Sequence, residues 1–307
     1  MKIAVMGAGG VGGFYGGLLA KAGQEVTFIA RGEHLAALRA HGLRVESQSV
    51  GDFSLPKVAA AERLADIGTV DLVLVTTKAY DLEGAARSIL PALRKDSLVL
   101  PLLNGVDIAD RLAAVLGPER VLGGMCQVSS AIKAPGVIRQ VGPLNKIVFG
   151  ELAGGITPRG QAVLDMFKGA GVTAELSPSI LVDVWRKYLF IDAAGGVCAL
   201  TRSTLGPVLK DPDTREMYVG CMQEIEALAR RKGIPLPATV VQDTLAMCDK
   251  LPHETRPSLL LSLEQGNPLE LDALNGTAVR LGKELGVPTP INRFITAALK
   301  LHAAGRK

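Results

Sequence analysis

Aromatic side chains are scarce in this 307-residue chain, where seven Phe, four Tyr and one Trp make up only 4%. The core must therefore be aliphatic, a composition suited to buried parallel strands covered by helices. Cysteine is also rare. Cys126, Cys198, Cys221 and Cys248 match no metal or redox spacing, so buried thiols in a reducing cytoplasm are expected. None of His34, His41, His253 and His302 falls in a ligand-like cluster, and no metal site is expected. No apolar run approaches the roughly 18 residues of a membrane span, which excludes a membrane helix. The chain opens directly on strand-like residues, without the charged lead, apolar stretch and cleavage site of a secretory signal. The charge balance is mild, 34 basic against 30 acidic residues for a net +4. With no basic run and no interleaving of aromatic and basic residues, nucleic acid is not an expected partner.

What is present is a chain long enough for two domains, 48% hydrophobic and 21% charged, as a well-packed globular protein requires. The apolar run Lys2–Met6 leads into Gly7-Ala8-Gly9-Gly10-Val11-Gly12. A helical stretch, 14–22, closes at Gly23, and a second apolar run, 25–30, completes a β-α-β unit of roughly 30 residues. In this G-x-G-x-x-G pattern Gly7 permits the turn, Gly9 lets the backbone approach a pyrophosphate, and Gly12 allows helix and strand to pack closely. The helix N-terminus adds amide donors and a partial positive charge for phosphates. Gly7, Ala8, Gly9, Gly10, Val11 and Gly12 are accordingly the expected dinucleotide contacts.

The end of the second strand reads Ile29-Ala30-Arg31. No carboxylate stands there to receive a ribose hydroxyl, whereas Arg31 offers a planar fork of donors to a 2′-phosphate. NADPH is the expected cofactor; the alternative makes Glu33 the ribose ligand and Arg31 a solvated loop residue. The apolar runs 70–77 and 97–103 read as further buried strands. Their C-terminal ends carry Lys78 and Asn104-Gly105, at the edge where open α/β sheets bind ligands. Lys78 reads equally as a solvated loop lysine, and Asn104 as turn chemistry. Residues 121–151 read as strands with turns at Ala134-Pro135-Gly136 and Gly142-Pro143, and 158–171 as a closing helix. The polar stretch 175–178 reads as a connector. The expected architecture is α/β: a Rossmann-type dinucleotide-binding domain over 1–177 and an all-helical substrate domain over 178–307.

Two charges stand on apolar helical faces of the second half. Lys187 lies on the line Ile180, Val184, Lys187, Ile191 of a wide apolar helix beginning after Ser179, and so points toward packed material or a cleft. An ordinary Asp183–Lys187 helix pair at i,i+4 accounts for it equally well. Glu270 heads a stripe continued by Leu274, Ala278, Leu281 and Leu285. It is a functional carboxylate, a macrodipole partner at a helix start, or an exposed residue if the helix begins later.

Together with the glycine-rich turn, Thr76-Thr77-Lys78-Ala79, Leu103-Asn104-Gly105-Val106, Val184-Trp185-Arg186-Lys187, and Ser258 followed twelve residues later by Glu270-Leu271-Asp272 resemble the ketopantoate reductases (2-dehydropantoate 2-reductases) over residues 1–300. The resemblance implies a Rossmann domain followed by a helical domain, and NADPH-dependent reduction of a 2-oxo acid to a 2-hydroxy acid. The reaction of the family is ketopantoate to pantoate, in pantothenate biosynthesis. It further implies Lys187 as general acid, Glu270 as active-site glutamate, Ser258 as substrate serine, and Asn104 and Lys78 as a pair lining the site. An ammonium of ordinary pKa ~10.4 is charged at neutral pH. It can stabilise the oxygen that gains charge on hydride attack and then protonate it, an effect worth ~10²–10⁴ in rate. The chain departs from the family where asparagines are expected four and eight residues after the lysine, since it has Ile191 and Gly195, and Ser262 replaces an aspartate four residues after the serine. A paralogue acting on a different 2-oxo acid is therefore a second reading, and an NADPH-binding regulatory protein without turnover a third. Apolar helices in the second half would serve a homodimer or fold against one another within one chain.

Overall fold

The run Val70–Val75 is aliphatic at every position but Asp71, and Leu72, Val73, Leu74 and Val75 are all fully buried, as a strand covered on both faces requires. In the computed structural model, which describes residues 1–306, this strand lies inside a five-stranded sheet of the first of two units. That unit comprises Met1–Leu103 and Asp107–Ile180; the second comprises Asn104–Val106 and the chain from Leu181 onward. In chain order the first unit contains β1 (Lys2–Met6), α1 (Gly10–Lys21), β2 (Glu25–Ile29), α2 (Gly32–His41), β3 (Leu43–Ser47), β4 (Phe53–Leu55), β5 (Ala59–Ala61) and β6 (Val70–Val75). There follow α3 (Leu82–Ile89), β7 (Leu93–Pro101), α4 (Ile108–Leu116), β8 (Leu122–Ala134), β9 (Val137–Glu151), α5 (Pro158–Gly169) and β10 (Thr173–Leu176).

Five strands form a sheet in the order β5-β2-β1-β6-β7, every pairing parallel. The chain builds outward from β1 on one side through β2 and β5, then returns to build β6 and β7 on the other. The order therefore reverses between β1 and β6, and the carboxyl ends of these two strands are where such a sheet opens to a ligand. A second sheet runs β10-β9-β3-β4, with β8 antiparallel to β9.

Helix α1 lies between the two sheets, which explains its glycines. A Cβ on Gly12 would stand 2.2 Å from the Gly7 carbonyl oxygen and 2.7 Å from Val5 Cγ1, and one on Gly16 would stand 2.7 Å from Phe28, all toward the first sheet. On the opposite face a Cβ on Gly10 would lie 2.2 Å from the Ser130 carbonyl oxygen, and one on Gly13 2.6 Å from Ile138. Glycine is the residue that lets both sheets approach one helix so closely. Phe14 and Tyr15, both fully buried, fill the spaces the glycines leave.

The second unit is helical: α6 (Ile180–Thr201), α7 (Leu205–Lys210), α8 (Pro212–Arg231), α9 (Val240–Cys248), α10 (Ser258–Gln265), α11 (Asn275–Leu285) and α12 (Pro290–Leu299). Its core gathers around α6, where Trp185 and Tyr188 pack edge to face at 5.9 Å and meet Tyr218, Met222 and Leu260. Asp211 caps α8, its Oδ1 accepting from the amides of Asp213 and Thr214. All four cysteines are buried, and none is in a disulfide. Among the described residues no helix is long and apolar enough to cross a membrane, and no group of His, Cys, Asp and Glu could hold a metal.

Four local expectations need correction. Helix α1 starts at Gly10, not Phe14, because close packing by the sheets outweighs the poor helix propensity of glycine. Gly142-Pro143 is not a turn between strands but a bulge within β9, where Gln127 pairs with Lys146 and Ser129 already pairs with Val141. Gln48 Oε1 holds the Gly142 amide at 2.6 Å, and Gln140 Nε2 donates to the Gly142 carbonyl at 2.8 Å, so side chains replace the lost ladder bonds. Residues 175 and 176 are not connector but the end of β10, parallel to β9 with Glu175 opposite Val148. Finally, Glu270 is not helical: α11 begins at Asn275, and residues 271–274 form a turn.

Gly12→Ala is expected to lower the stability of the chain by about 1–3 kcal/mol, as overpacking does. The measurement is the urea midpoint at unchanged m-value; an unaltered midpoint would contradict the close approach of β1 and α1.

Candidate active site

The glycine-rich turn sits at the carboxyl end of β1, where Gly7 and Ala8 amides donate to the Ile29 carbonyl at 3.3 and 3.0 Å. Gly7 takes a positive φ of 101°, a conformation that disfavours any side chain. Thr76, at the end of β6, donates its hydroxyl to the Gly7 carbonyl at 2.8 Å and so ties the turn to the neighbouring strand. The turn is thus held from both sides of the switch point. A Cβ on Gly9 would meet nothing within 4 Å, so the outer side of the turn is open just before the first helical amides. The first turn of α1 contains no acidic residue. Unbonded amides, the positive end of the helix dipole and absence of a competing carboxylate fit a bound pyrophosphate.

Arg31 is exposed and precedes α2, and Glu33 is exposed in the first turn of that helix. Lys78 is exposed just beyond β6. His34, passed over in the sequence, braces this region: its Nδ1 accepts from the Gly136 amide at 3.1 Å, so the imidazole is neutral with its proton on Nε2. Burial lowers its pKa, against an opposing contribution from the Ala8 backbone.

In the helical unit, Lys187 Nζ donates to Asn104 Oδ1 at 2.7 Å. Both residues are half-buried. The lysine line of α6 continues through Ile191 to Gly195, at i+4 and i+8. A Cβ on Gly195 would stand 3.4 Å from Leu259 Cβ and 3.6 Å from Leu274 Cδ1. The same helix face therefore looks onto the beginning of α10, which starts at Ser258, and onto the end of the turn that starts at Glu270. Ser258 itself is exposed, and Glu270 is half-buried. The Glu270 carbonyl accepts from Ala273 and Leu274 amides at 3.1 and 3.2 Å, closing the turn. Tyr188, next to Lys187, donates its buried hydroxyl to the Leu274 carbonyl at 2.8 Å.

Sequence reasoning missed a buried polar cluster behind this face, made of Asp192, Cys221, Glu224, Asn275 and Asn292, each 9% exposed or less. Its one visible sign was an aspartate amid the apolar residues of α6, overlooked beside Lys187.

Models of two domains match the chain: "Ketopantoate reductase PanE/ApbA" over residues 3–154 and "Ketopantoate reductase PanE/ApbA C terminal" over 179–303. The chain belongs to the ketopantoate reductase PanE/ApbA family. It is thus an oxidoreductase of the kind acting on CH–OH groups. The uncharacterized oxidoreductase YkpB of Bacillus subtilis is 31% identical, with 99% of each chain aligned. The crystal structure of a PanE/ApbA family ketopantoate reductase from Ralstonia eutropha is 35% identical, with a TM-score of 0.90 over 99% of this chain and 98% of that one. A D-mandelate dehydrogenase solved with NADH and anilino(oxo)acetate is 25% identical, with a TM-score of 0.89 over 99% of this chain and 98% of that one.

For this reductase Arg31→Ala is expected to reduce the ratio of kcat/KM with NADPH to kcat/KM with NADH by about tenfold to a hundredfold, the value of a hydrogen bond to a charged group. Measuring both ratios checks it, and an unchanged preference would remove Arg31 from the phosphate site.

Proposed function

We propose that this chain reduces a 2-oxo acid to the 2-hydroxy acid with NADPH, and that Lys187 is the general acid. The observation that carries the reading is the 2.7 Å bond from Lys187 Nζ to Asn104 Oδ1 on an otherwise apolar helix face. An ammonium has three donors, and the Asn104 amide oxygen accepts one of them, which orients the head without neutralising it. Its other donors can serve a substrate oxygen as well as neighbouring acceptors. A bound NADPH supplies the hydride. Lys187 meets the negative charge that gathers on the carbonyl oxygen and then hands over its proton. Glu270 provides a carboxylate acceptor toward a substrate hydroxyl, and Ser258 a donor toward the substrate carboxylate. Gly7 to Gly12 hold the pyrophosphate, Arg31 the 2′-phosphate, and Lys78 lies at the same sheet edge. Four buried thiols outside any disulfide support a reducing, cytoplasmic setting.

Ketopantoate is the substrate the family points to. A second reading, a 2-oxo acid with a more apolar side chain, is favoured by an apolar wall of Ile191 and Gly195, four and eight residues after Lys187 on α6, with Gly195 backed by Leu259 and Leu274. Such a wall has no donor for a substrate hydroxyl, and an unpaired polar group there is strongly disfavoured. A D-mandelate dehydrogenase among the structural neighbours supports the same direction.

A panel of 2-oxo acids assayed with NADPH decides between the two. Ketopantoate with the highest kcat/KM supports the first; preference for branched or aromatic 2-oxo acids supports the second; consumption of none overturns both. Lys187→Ala is expected to lower kcat by about 10²–10⁴, the usual worth of general acid catalysis, with NADPH affinity nearly intact. Wild-type turnover in that variant would refute the acid assignment.

A further inference from the structure

Helix α6 is buried continuously from Asp192 to Ala199, and that stretch contains one carboxyl group. Asp192 is 0% exposed, as are Asn275 at the start of α11 and Asn292 on α12. The hydrogen bonds around it have a single consistent direction. Glu224, on α8, accepts from the Ile291 amide at 2.7 Å, the Asn292 amide at 3.0 Å and Asn292 Nδ2 at 2.8 Å. These donors at a helix N-terminus suit an ionised carboxylate. They also force the Asn292 amide to turn its Oδ1 toward Asn275, whose Nδ2 donates to it at 2.8 Å. The same Nδ2 donates to Asp192 Oδ2 at 3.1 Å, and the Cys221 thiol has Asp192 Oδ2 at 3.4 Å and Asn292 Oδ1 at 3.6 Å as alternative acceptors. Two oxygens are left over, Asp192 Oδ1 and Asn275 Oδ1, both buried without a partner. Both are acceptors while Asp192 is ionised. A proton on Asp192 Oδ1 turns one of them into a donor and leaves every other bond of the cluster in place, whereas turning the Asn275 amide over would lose its bonds to Asp192 and Asn292.

The cluster adjoins the face assigned above. Asn275 directly follows Leu274, whose carbonyl receives the Tyr188 hydroxyl, and Tyr188 directly follows Lys187. Tyr188 and Asp192 are one helical turn apart on α6. The segment from Glu270 to Asn275 is therefore fastened to the lysine helix by two successive rungs, Tyr188 to Leu274 and Asp192 to Asn275.

We propose that Asp192 is a positioning residue of the reductase: as a neutral carboxylic acid paired with the Asn275 amide, it sets the register of the Glu270–Asn275 segment on the helix that carries Lys187. This rests on the roles given to Lys187 and Glu270 under the proposed function.

The titratable groups facing Asp192 are Cys221 and Glu224, both on α8. Burial pushes the Asp192 carboxyl up to about 8; the Cys221 thiol bond opposes this, the Glu224 charge adds to it, and the Asn275 amide opposes it. Burial likewise raises the Cys221 thiol well above its ordinary value. The folded chain then retains a proton that the unfolded chain releases from about pH 4 upward. Its contribution to stability is complete below that pH, falls by about tenfold in the folding equilibrium per pH unit, and is fully lost above about pH 8.

The test compares the full chain with D192N and D192A. D192N supplies an amide donor in place of the acid proton at every pH. Its urea midpoint should fall less steeply than that of wild type between pH 5 and 8. By hydrogen exchange, the Ala273 and Leu274 amides should lose protection at least tenfold in D192A and keep it in D192N. With the best substrate of the 2-oxo acid panel, kcat should drop at least tenfold in D192A at unchanged KM for NADPH, and return in D192N. Parallel pH slopes for wild type and D192N would overturn the neutral acid. Unchanged exchange at Ala273 and Leu274 in D192A, or a D192N protein behaving like D192A, would overturn the positioning role. If D192A fails to fold, the comparison of slopes between wild type and D192N still decides. If no 2-oxo acid is consumed by wild type, the proposed function fails, while the exchange and urea measurements still judge Asp192.

Discussion

A lysine held on an apolar helix must have its donors met, and the bond from Lys187 to Asn104 is the constraint around which the helical unit is organised. Asn104 reaches it from a tripeptide, Asn104–Val106, that groups with the helices although the residues on either side of it in sequence group with the sheets. Only Leu102 and Leu103 separate the end of β7 from a residue that groups with the other unit. Around α6 the remaining polar demands are met in depth: Tyr188 reaches the Leu274 carbonyl, and the acid–amide cluster lies one turn further in. An aliphatic core with a few hydrogen-bonded polar groups specifies a single helix register in a way that an all-aliphatic core does not.

Much of the first unit was legible in the sequence because its determinants are local. A strand, a glycine-rich turn and a helix follow each other within about 30 residues, and the buried strands declare themselves by unbroken aliphatic runs. The start of α1 was misjudged because its glycines are explained by two sheets on opposite faces, and one of those faces is made by residues more than a hundred positions away. The Gly142-Pro143 pair looked like a turn because the dipeptide is the same in both settings. What decides between them is Gln48 and Gln140, whose side chains replace the missing strand bonds.

In the helical unit, periodicity located Lys187 but misplaced Glu270. The stripe from Glu270 to Leu285 has helical spacing, yet the turn before Asn275 breaks it, since the buried Asn275 side chain is committed to Asp192 and Asn292. That commitment joins three elements and leaves no pattern within any one of them. The same limit applies to substrate. The family resemblance located the positions that differ, Ile191 and Gly195, but only the approach of Leu259 and Leu274 shows how that wall is lined.

The confinement of α1 between two sheets has a bearing on how such an enzyme could be redesigned. Where even a methyl group has no space, as at Gly10, Gly12, Gly13 and Gly16, drift in sequence is suppressed, and a library aimed at those positions would consist mostly of destabilised members. The segment Arg31–Glu33, where α2 begins, lies outside that vise, on the surface, with its side chains exposed. Laboratory selection for a different coenzyme would find its tolerated changes there, leaving the inherited turn untouched.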